Sequence, residues 1–250
     1  MDNSRYVWIG TWKGLNLYDK QTCKIIPFPD TRLLDKGINY MAADKEDNIW
    51  IGAGNTIYRC NSTASIAREY DIFGSQQNKH TINFVYQDRE GNMWVLTGGG
   101  LFKYDDKSDS FITYPPLGKN NAPYTMCQDQ SGNYWIGTWG EGLWQFFPQK
   151  EGEECYKRHH IINSRSGETE PIFYSMTQDN TFGYLWLLSY NELYALQYTE
   201  EGTLVSVDIH DLVDTHMMYT KIMKDREGNL WLGSCLLYTS PSPRDTERSR

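Results

Sequence analysis

The sequence predicts an all-β protein: a β-propeller fragment of four full four-stranded antiparallel blades flanked by two partial ones. Three observations predict it. A seven-residue phrase opening on Asp and closing on Trp recurs along the chain. Its tryptophans stand at 8, 50, 94, 135, 186 and 231, spaced by 42, 44, 41, 51 and 45 residues. Each period divides into four short strand-like pieces. Propeller blades repeat every ~40–50 residues, and the long amphipathic runs that a helical solenoid needs are missing.

The phrase reads Asp88-Arg-Glu-Gly91-Asn92-Met-Trp94, Asp129-Gln-Ser-Gly132-Asn133-Tyr-Trp135 and Asp225-Arg-Glu-Gly228-Asn229-Leu-Trp231. Looser copies are Asp44…Asn48-Ile-Trp50 and Asp179…Gly183-Tyr-Leu-Trp186, and Asp2 and Trp8 keep the same offset. Asp and Asn bond their own backbone and Gly supplies a positive φ, so the phrase is a tight turn. An apolar first strand precedes it, at 38–43, 82–87, 124–128, 173–178 and 219–224. Met41, Val85, Met126, Met176 and Ile222 hold one register position, three residues before the Asp. The second strand carries Trp-Ile-Gly-Thr at 8–11 and 135–138, or variants such as Trp94-Val-Leu-Thr97. A Gly-rich hairpin then leads to Gly14-Leu-Asn-Leu-Tyr-Asp19, Gly100-Leu-Phe-Lys-Tyr-Asp105 and Gly142-Leu-Trp-Gln-Phe146. The fourth strand is variable, as at 24–28 and 110–114. Strands apolar on both sides of the pleat suit sheets packed face to face.

Composition agrees. Nine Trp, 18 Tyr and 9 Phe make 14% of the chain, rings enough to need a use in every repeat. The 24 basic and 32 acidic residues leave a net charge of −8, which argues against a nucleic-acid partner. No apolar run approaches the ~20 residues of a membrane span, and Met1–Arg5 does not open a signal peptide. Five cysteines, at 23, 60, 127, 155 and 235, form no CxxC pair, so no metal site and no cofactor are expected. Cys127, inside a first strand, reads as a small core residue.

The recurring acids tempt a catalytic reading, yet catalysis needs one convergent site. A residue filling the same slot in every blade serves the blade, so no catalytic residue is assigned. The tryptophans read as inter-blade core by the same logic, and His159-His160 as part of a solvated insertion. Gly98-Gly99-Gly100 lacks the following Gly-Lys-Ser/Thr of a phosphate loop and reads as a hairpin. More informative are the hairpins joining second to third strands: Thr11-Trp12-Lys13-Gly14, Thr138-Trp139-Gly140-Glu141 and Ser189-Tyr190-Asn191. Antiparallel order places them on the same face as the connections between blades. Trp12, Lys13, Trp139, Glu141, Tyr190 and Asn191 are the candidate ligand-binding residues, with rings to stack on sugars and polar groups to bond hydroxyls. The competing reading packs these rings on neighbouring loops.

The combination Asp-x-x-Gly-Asn-x-Trp-Ile-Gly-Thr with Gly-Leu-x-x-Tyr-Asp resembles the two-component regulator propeller repeat. Residues 129–146 carry it best, and Asn55-Thr56 and Glu192-Leu193 depart from its Gly-Leu. The resemblance implies two seven-bladed propellers, a small β-sandwich, a membrane helix and cytoplasmic kinase, receiver and DNA-binding domains, in a dimeric receptor of Bacteroidetes-type bacteria. It also implies a periplasmic sensor half that binds a small oligosaccharide and catalyses nothing. The alternative is a propeller lyase or hydrolase whose catalytic blades lie elsewhere. Residues 1–234 are expected to be the propeller segment, cut from a longer protein at both ends and completed by further blades and downstream domains. The segment 235–250, beginning Cys-Leu-Leu-Tyr-Thr-Ser-Pro, is similar to a translated sequencing adapter and is expected to be a non-native tail.

Overall fold

The structure is a computed structural model, describing residues 5–74, 79–120, 122–163, 166–179, 181–190, 192–209, 219–225 and 227–234. Its strands fall into six antiparallel sheets in chain order. Blade 1 holds β1 (Tyr6–Thr11), β2 (Gly14–Asp19) and β3 (Lys24–Pro27). Blade 2 holds β4 (Ile38–Ala43), β5 (Ile49–Ala53), β6 (Thr56–Cys60) and β7 (Ile66–Tyr70). Blade 3 holds β8 (Ile82–Gln87), β9 (Met93–Thr97), β10 (Gly100–Asp105) and β11 (Ser110–Thr113). Blade 4 holds β12 (Pro123–Gln128), β13 (Tyr134–Thr138), β14 (Leu143–Phe146) and β15 (Tyr156–His159). Blade 5 holds β16 (Ser175–Gln178), β17 (Leu185–Leu188), β18 (Leu193–Tyr198) and β19 (Leu204–Val207), and blade 6 holds β20 (Tyr219–Lys224) and β21 (Leu230–Ser234). Four full blades and two partial ones stand as expected. The tail 235–250 lies outside the described residues.

The repeated phrase joins first strand to second, and its side chains explain its composition. In blade 4 Asp129 Oδ1 accepts the Asn133 backbone N–H at 2.8 Å, and Oδ2 accepts Asn133 Nδ2 and Trp135 Nε1, each at 2.9 Å. Asp88 binds Asn92 and Trp94 in the same way, and Asp225 binds Asn229 and Trp231. Gly132 takes φ +85° at the turn; in blade 2 Asp47 takes that position with φ +60°, a conformation Asp tolerates better than most side chains. Burial alone would raise the Asp88 carboxyl, but the donors Trp94, Asn92 and Tyr134 outweigh it and hold it below the usual range. At Asp225 the hydrogen bonds from Trp231 and Asn229 hold it down at about 2. Asp88 and Asp225 are thereby held as carboxylates, and all three acids are engaged in their own turns.

The core is divided among the seams between blades. One hydrophobic cluster fills each seam: Leu17 with Ile51, Trp50 with Ile82, Trp94 with Met126, Trp135 with Met176, and Trp186 with Ile222. Trp50 meets Tyr104 with centroids 4.9 Å apart, and Trp94 meets Phe146 at 5.4 Å. Tyr104 and Phe146 close the Gly-Leu-x-x-Tyr/Phe of the following blade, so the two aromatic positions of the repeat exist to meet across a seam. Tyr198 serves Trp135 similarly, at 5.4 Å. The expectation of tryptophans as inter-blade core holds for these blades. It fails at Trp231, which is 59% exposed because no following blade covers it among the described residues.

His159 corrects another expectation. It ends β15 instead of lying in a solvated loop, with its ring 5.2 Å from that of Trp135. Burial, with the charges of Lys157 and His160 beside it, pulls its pKa down to about 4. The unfolded chain protonates this ring near ~6.5, so the unfolded state binds more protons between the two values. Stability therefore falls as pH drops from about 6.5 towards 4. Urea midpoints at pH 7 and 4.5 check this: His159→Gln is expected to flatten the dependence, and an undiminished fall in that variant would refute it.

Candidate ligand-binding face

The hairpin between β13 and β14 is fixed on both sides. Trp139 N–H donates to Ala122 O at 3.1 Å on the connection entering blade 4. Gly140 and Gly142 N–H donate to Pro171 O, and Phe173 N–H to Thr138 O, on the connection entering blade 5. Second-to-third hairpins and inter-blade connections thus share one face, as expected from strand order.

Trp139, 47% exposed, has its ring 5.4 Å from Tyr124 and 6.5 Å from Tyr174. Both tyrosines are half-buried, and Tyr174 Oη donates to Tyr219 O at 2.6 Å. The three rings form a row across blades 4 and 5. Tyr124 and Tyr174 escaped the sequence reading, although a signal was present. The register position five residues before the Asp holds Asn39 and Asn83 in blades 2 and 3 and Tyr in blades 4 and 5. Asn39 Oδ1 accepts Gly54 N–H, and Asn83 Nδ2 donates to Pro123 O, so those two are used in stitching. The tyrosines present rings instead.

The other expected site residues scatter. Trp12 is 84% exposed and packs one edge on Gly37, three blades from Trp139, and its neighbour Lys13 is exposed. Tyr190 is exposed on blade 5, without a ring contact among the described residues. Asn191 lies outside the described residues. Glu141 is buried: Oε1 accepts Asn120 N–H at 2.7 Å, and the carboxylate fills the space above Gly118, where a Cβ would come within 1.8 Å of Oε2. It fixes the connection into blade 4. Beside it, an outer groove of about 630 Å³ is lined by Lys119, Glu141, Trp144, Glu153 and Arg158. Among the described residues no group of three His, Cys, Asp or Glu is placed to hold a metal ion, and no helix is long and apolar enough to cross a membrane.

Known proteins resemble the chain at two levels. The profile of the family described as two component regulator propeller matches residues 117–140, across the Trp139 hairpin. A search of curated protein sequences finds no match. Among solved structures, the extracellular domain of a one component system from B. thetaiotaomicron superposes with a TM-score of 0.69 at 22% identity, over 94% of this chain and 30% of that one. The extracellular domain of a hybrid two component system from the same organism gives 0.69 at 22%, over 93% and 30%. Virginiamycin B lyase from Staphylococcus aureus gives 0.67 at 15%, over 94% and 75%. At these identities the likenesses show the fold, and the chain spans about a third of the length of the two B. thetaiotaomicron domains. The chain has the β-propeller fold, and its residues 117–140 match the two component regulator propeller family.

Proposed function

We propose that this chain is part of the extracytoplasmic, periplasmic sensor region of a transmembrane two-component receptor, and that it contributes a binding surface for a small oligosaccharide. The carrying observation is the aromatic row Tyr124–Trp139–Tyr174, half-exposed on the hairpin face and lying partly within the matched repeat. Sugar rings offer apolar C–H faces to such a surface, and a few polar groups at its edge orient hydroxyls. Asp44, Asp88, Asp129, Asp179 and Asp225 each accept the indole N–H of their own blade's tryptophan, and this use in the turns favours a sensor over a glycan-cleaving propeller.

Calorimetric titration of the 250-residue chain with a panel of neutral oligosaccharides tests this. Trp139→Ala and Tyr124→Ala are expected to weaken the best ligand at least about tenfold, equivalent to ~1.4 kcal/mol. Trp12→Ala, three blades away, is expected to leave it unchanged. Equal affinity in both platform variants, with their circular dichroism intact, would remove the site from this face. Released shorter glycans would convert the reading to an enzyme.

A further inference from the structure

The outer groove of about 630 Å³ runs down the flank of blade 4. Gly140 and Glu141 line it at the hairpin face, and Glu153 lines it from the connection between β14 and β15, at the opposite face. Trp144 stands between them. In blades 2, 3 and 5 the same register position, paired with the residue after the repeat tryptophan, holds Tyr58, Phe102 and Tyr194. Those rings are at most 5% exposed. Trp144 pairs with Ile136 in the same way but is only half-buried. In blades 3 and 5 a phenylalanine of the entering connection packs on the ring, Phe73 on Phe102 and Phe173 on Tyr194, each with centroids 5.6 Å apart. The connection entering blade 4 brings Gly118 and Lys119 to this groove instead. The Trp144 indole N–H donates to Glu141 O at 3.2 Å, which fixes the ring beside the hairpin. Arg158, its cross-strand partner, holds its guanidinium carbon 5.8 Å from the ring centre. Lys119, Glu153 and Arg158 are exposed and form no ion pair among the described residues. With Glu141 they make two basic and two acidic groups, so the lining favours neither an anion nor a cation. An aromatic platform edged by donors and acceptors suits a neutral ligand rich in hydroxyls. The groove meets the hairpin at Gly140, next in the chain to Trp139. No side chain blocks the way there, and even a Cβ would meet nothing nearer than Asn120 Nδ2 at 3.7 Å.

We propose that this groove is a second saccharide subsite, taking the further units of a neutral oligosaccharide whose first units lie on Tyr124, Trp139 and Tyr174. The inference rests on the reading of that row as a sugar platform, and adds to it a second platform and a preference for longer chains. Trp144 stacks on the apolar C–H face of a sugar ring, and Arg158, Lys119 and Glu153 bond its hydroxyls. Glu141 ties the parts together: its side chain accepts Asn120 N–H on the entering connection, and its backbone oxygen holds the Trp144 indole. A chain held on the row presents its next units to the groove at high effective concentration, so the second contact multiplies the first.

The test uses the 250-residue chain with linear gluco-, manno- and xylo-oligosaccharides, as disaccharides and hexasaccharides. By calorimetry the best hexasaccharide is expected to bind at least about tenfold more tightly than its disaccharide. Trp144→Ala is expected to remove that gain and leave disaccharide affinity unchanged. Arg158→Ala, at an exposed residue, is expected to reduce the gain at unaltered melting temperature. A direct readout comes from the indole N–H resonances, assigned with Trp139→Phe and Trp144→Phe. The hexasaccharide is expected to shift the signals of both Trp139 and Trp144, and the disaccharide that of Trp139. A hexasaccharide that shifts Trp139 alone, or a gain kept in both Trp144→Ala and Arg158→Ala, would overturn the groove and leave the aromatic row intact. A hexasaccharide that shifts Trp144 alone would remove the row and leave the groove as the saccharide site. A shift of neither would overturn both.

Discussion

Trp135→Ala is expected to destabilise the chain by about 4 kcal/mol, whereas Trp231→Ala is expected to cost less than ~1 kcal/mol. The two residues fill the same slot of the repeat and make the same bond, from Nε1 to the turn aspartate, at 2.9 and 2.8 Å. They differ in what covers them. Trp135 is 1% exposed and wedged between His159 of its own blade and Tyr198 of the next. Truncating it opens a cavity of ring size and leaves the buried Asp129 carboxylate short of a donor, a double penalty. Trp231 faces solvent and Asp225 can bond water instead. Urea denaturation of the two variants measures the contrast, read from the midpoint at constant slope. Similar losses at both positions would mean that the turn bond, and not the seam, makes these tryptophans matter.

The second large effect is expected at Gly137, the glycine of Trp-Ile-Gly-Thr. A Cβ there would stand 2.7 Å from the backbone oxygen of Phe173, 2.8 Å from Thr125 Cγ2 and 2.9 Å from Met176 Cε. Two of these three atoms belong to blade 5, and a backbone carbonyl cannot swing aside as a flexible side chain can. Gly137→Ala is expected to cost ~2–3 kcal/mol by forcing the seam apart. At Gly233, the same repeat position in blade 6, the nearest atom is 3.7 Å away, so Gly233→Ala should be neutral to within about 0.5 kcal/mol. Thermal melts of both variants decide it. A neutral Gly137→Ala would show that the seam can slide to accommodate a methyl group.

These contrasts bear on what could be read in advance. The bounds of β4, β8 and β20 were legible because an Asp and a Trp punctuate each of these blades within seven residues. Strand β15 was not, since it follows an insertion and carries no punctuation, and His159 was misplaced with it. Glu141 was legible as a polar loop residue but not as a buried one: its burial depends on Gly118, 23 positions earlier, leaving room for a carboxylate. Tyr124 and Tyr174 were hidden by their place in first strands, where aromatic residues ordinarily mean core.

The amino-acid sequence by itself determined the blade, its strand order, its turns and the pairing of Asp with Trp, because each of those interactions closes within a few residues. The tertiary structure decided which copies of one motif are buried, which rings line up across blades 4 and 5, and that Lys221 meets Tyr40 across the ring. The physical reason is that these contacts depend on how far each sheet is rotated from its neighbour. That rotation is set by side-chain volumes along the whole seam, such as Gly137 against Phe173, and not by any local pattern.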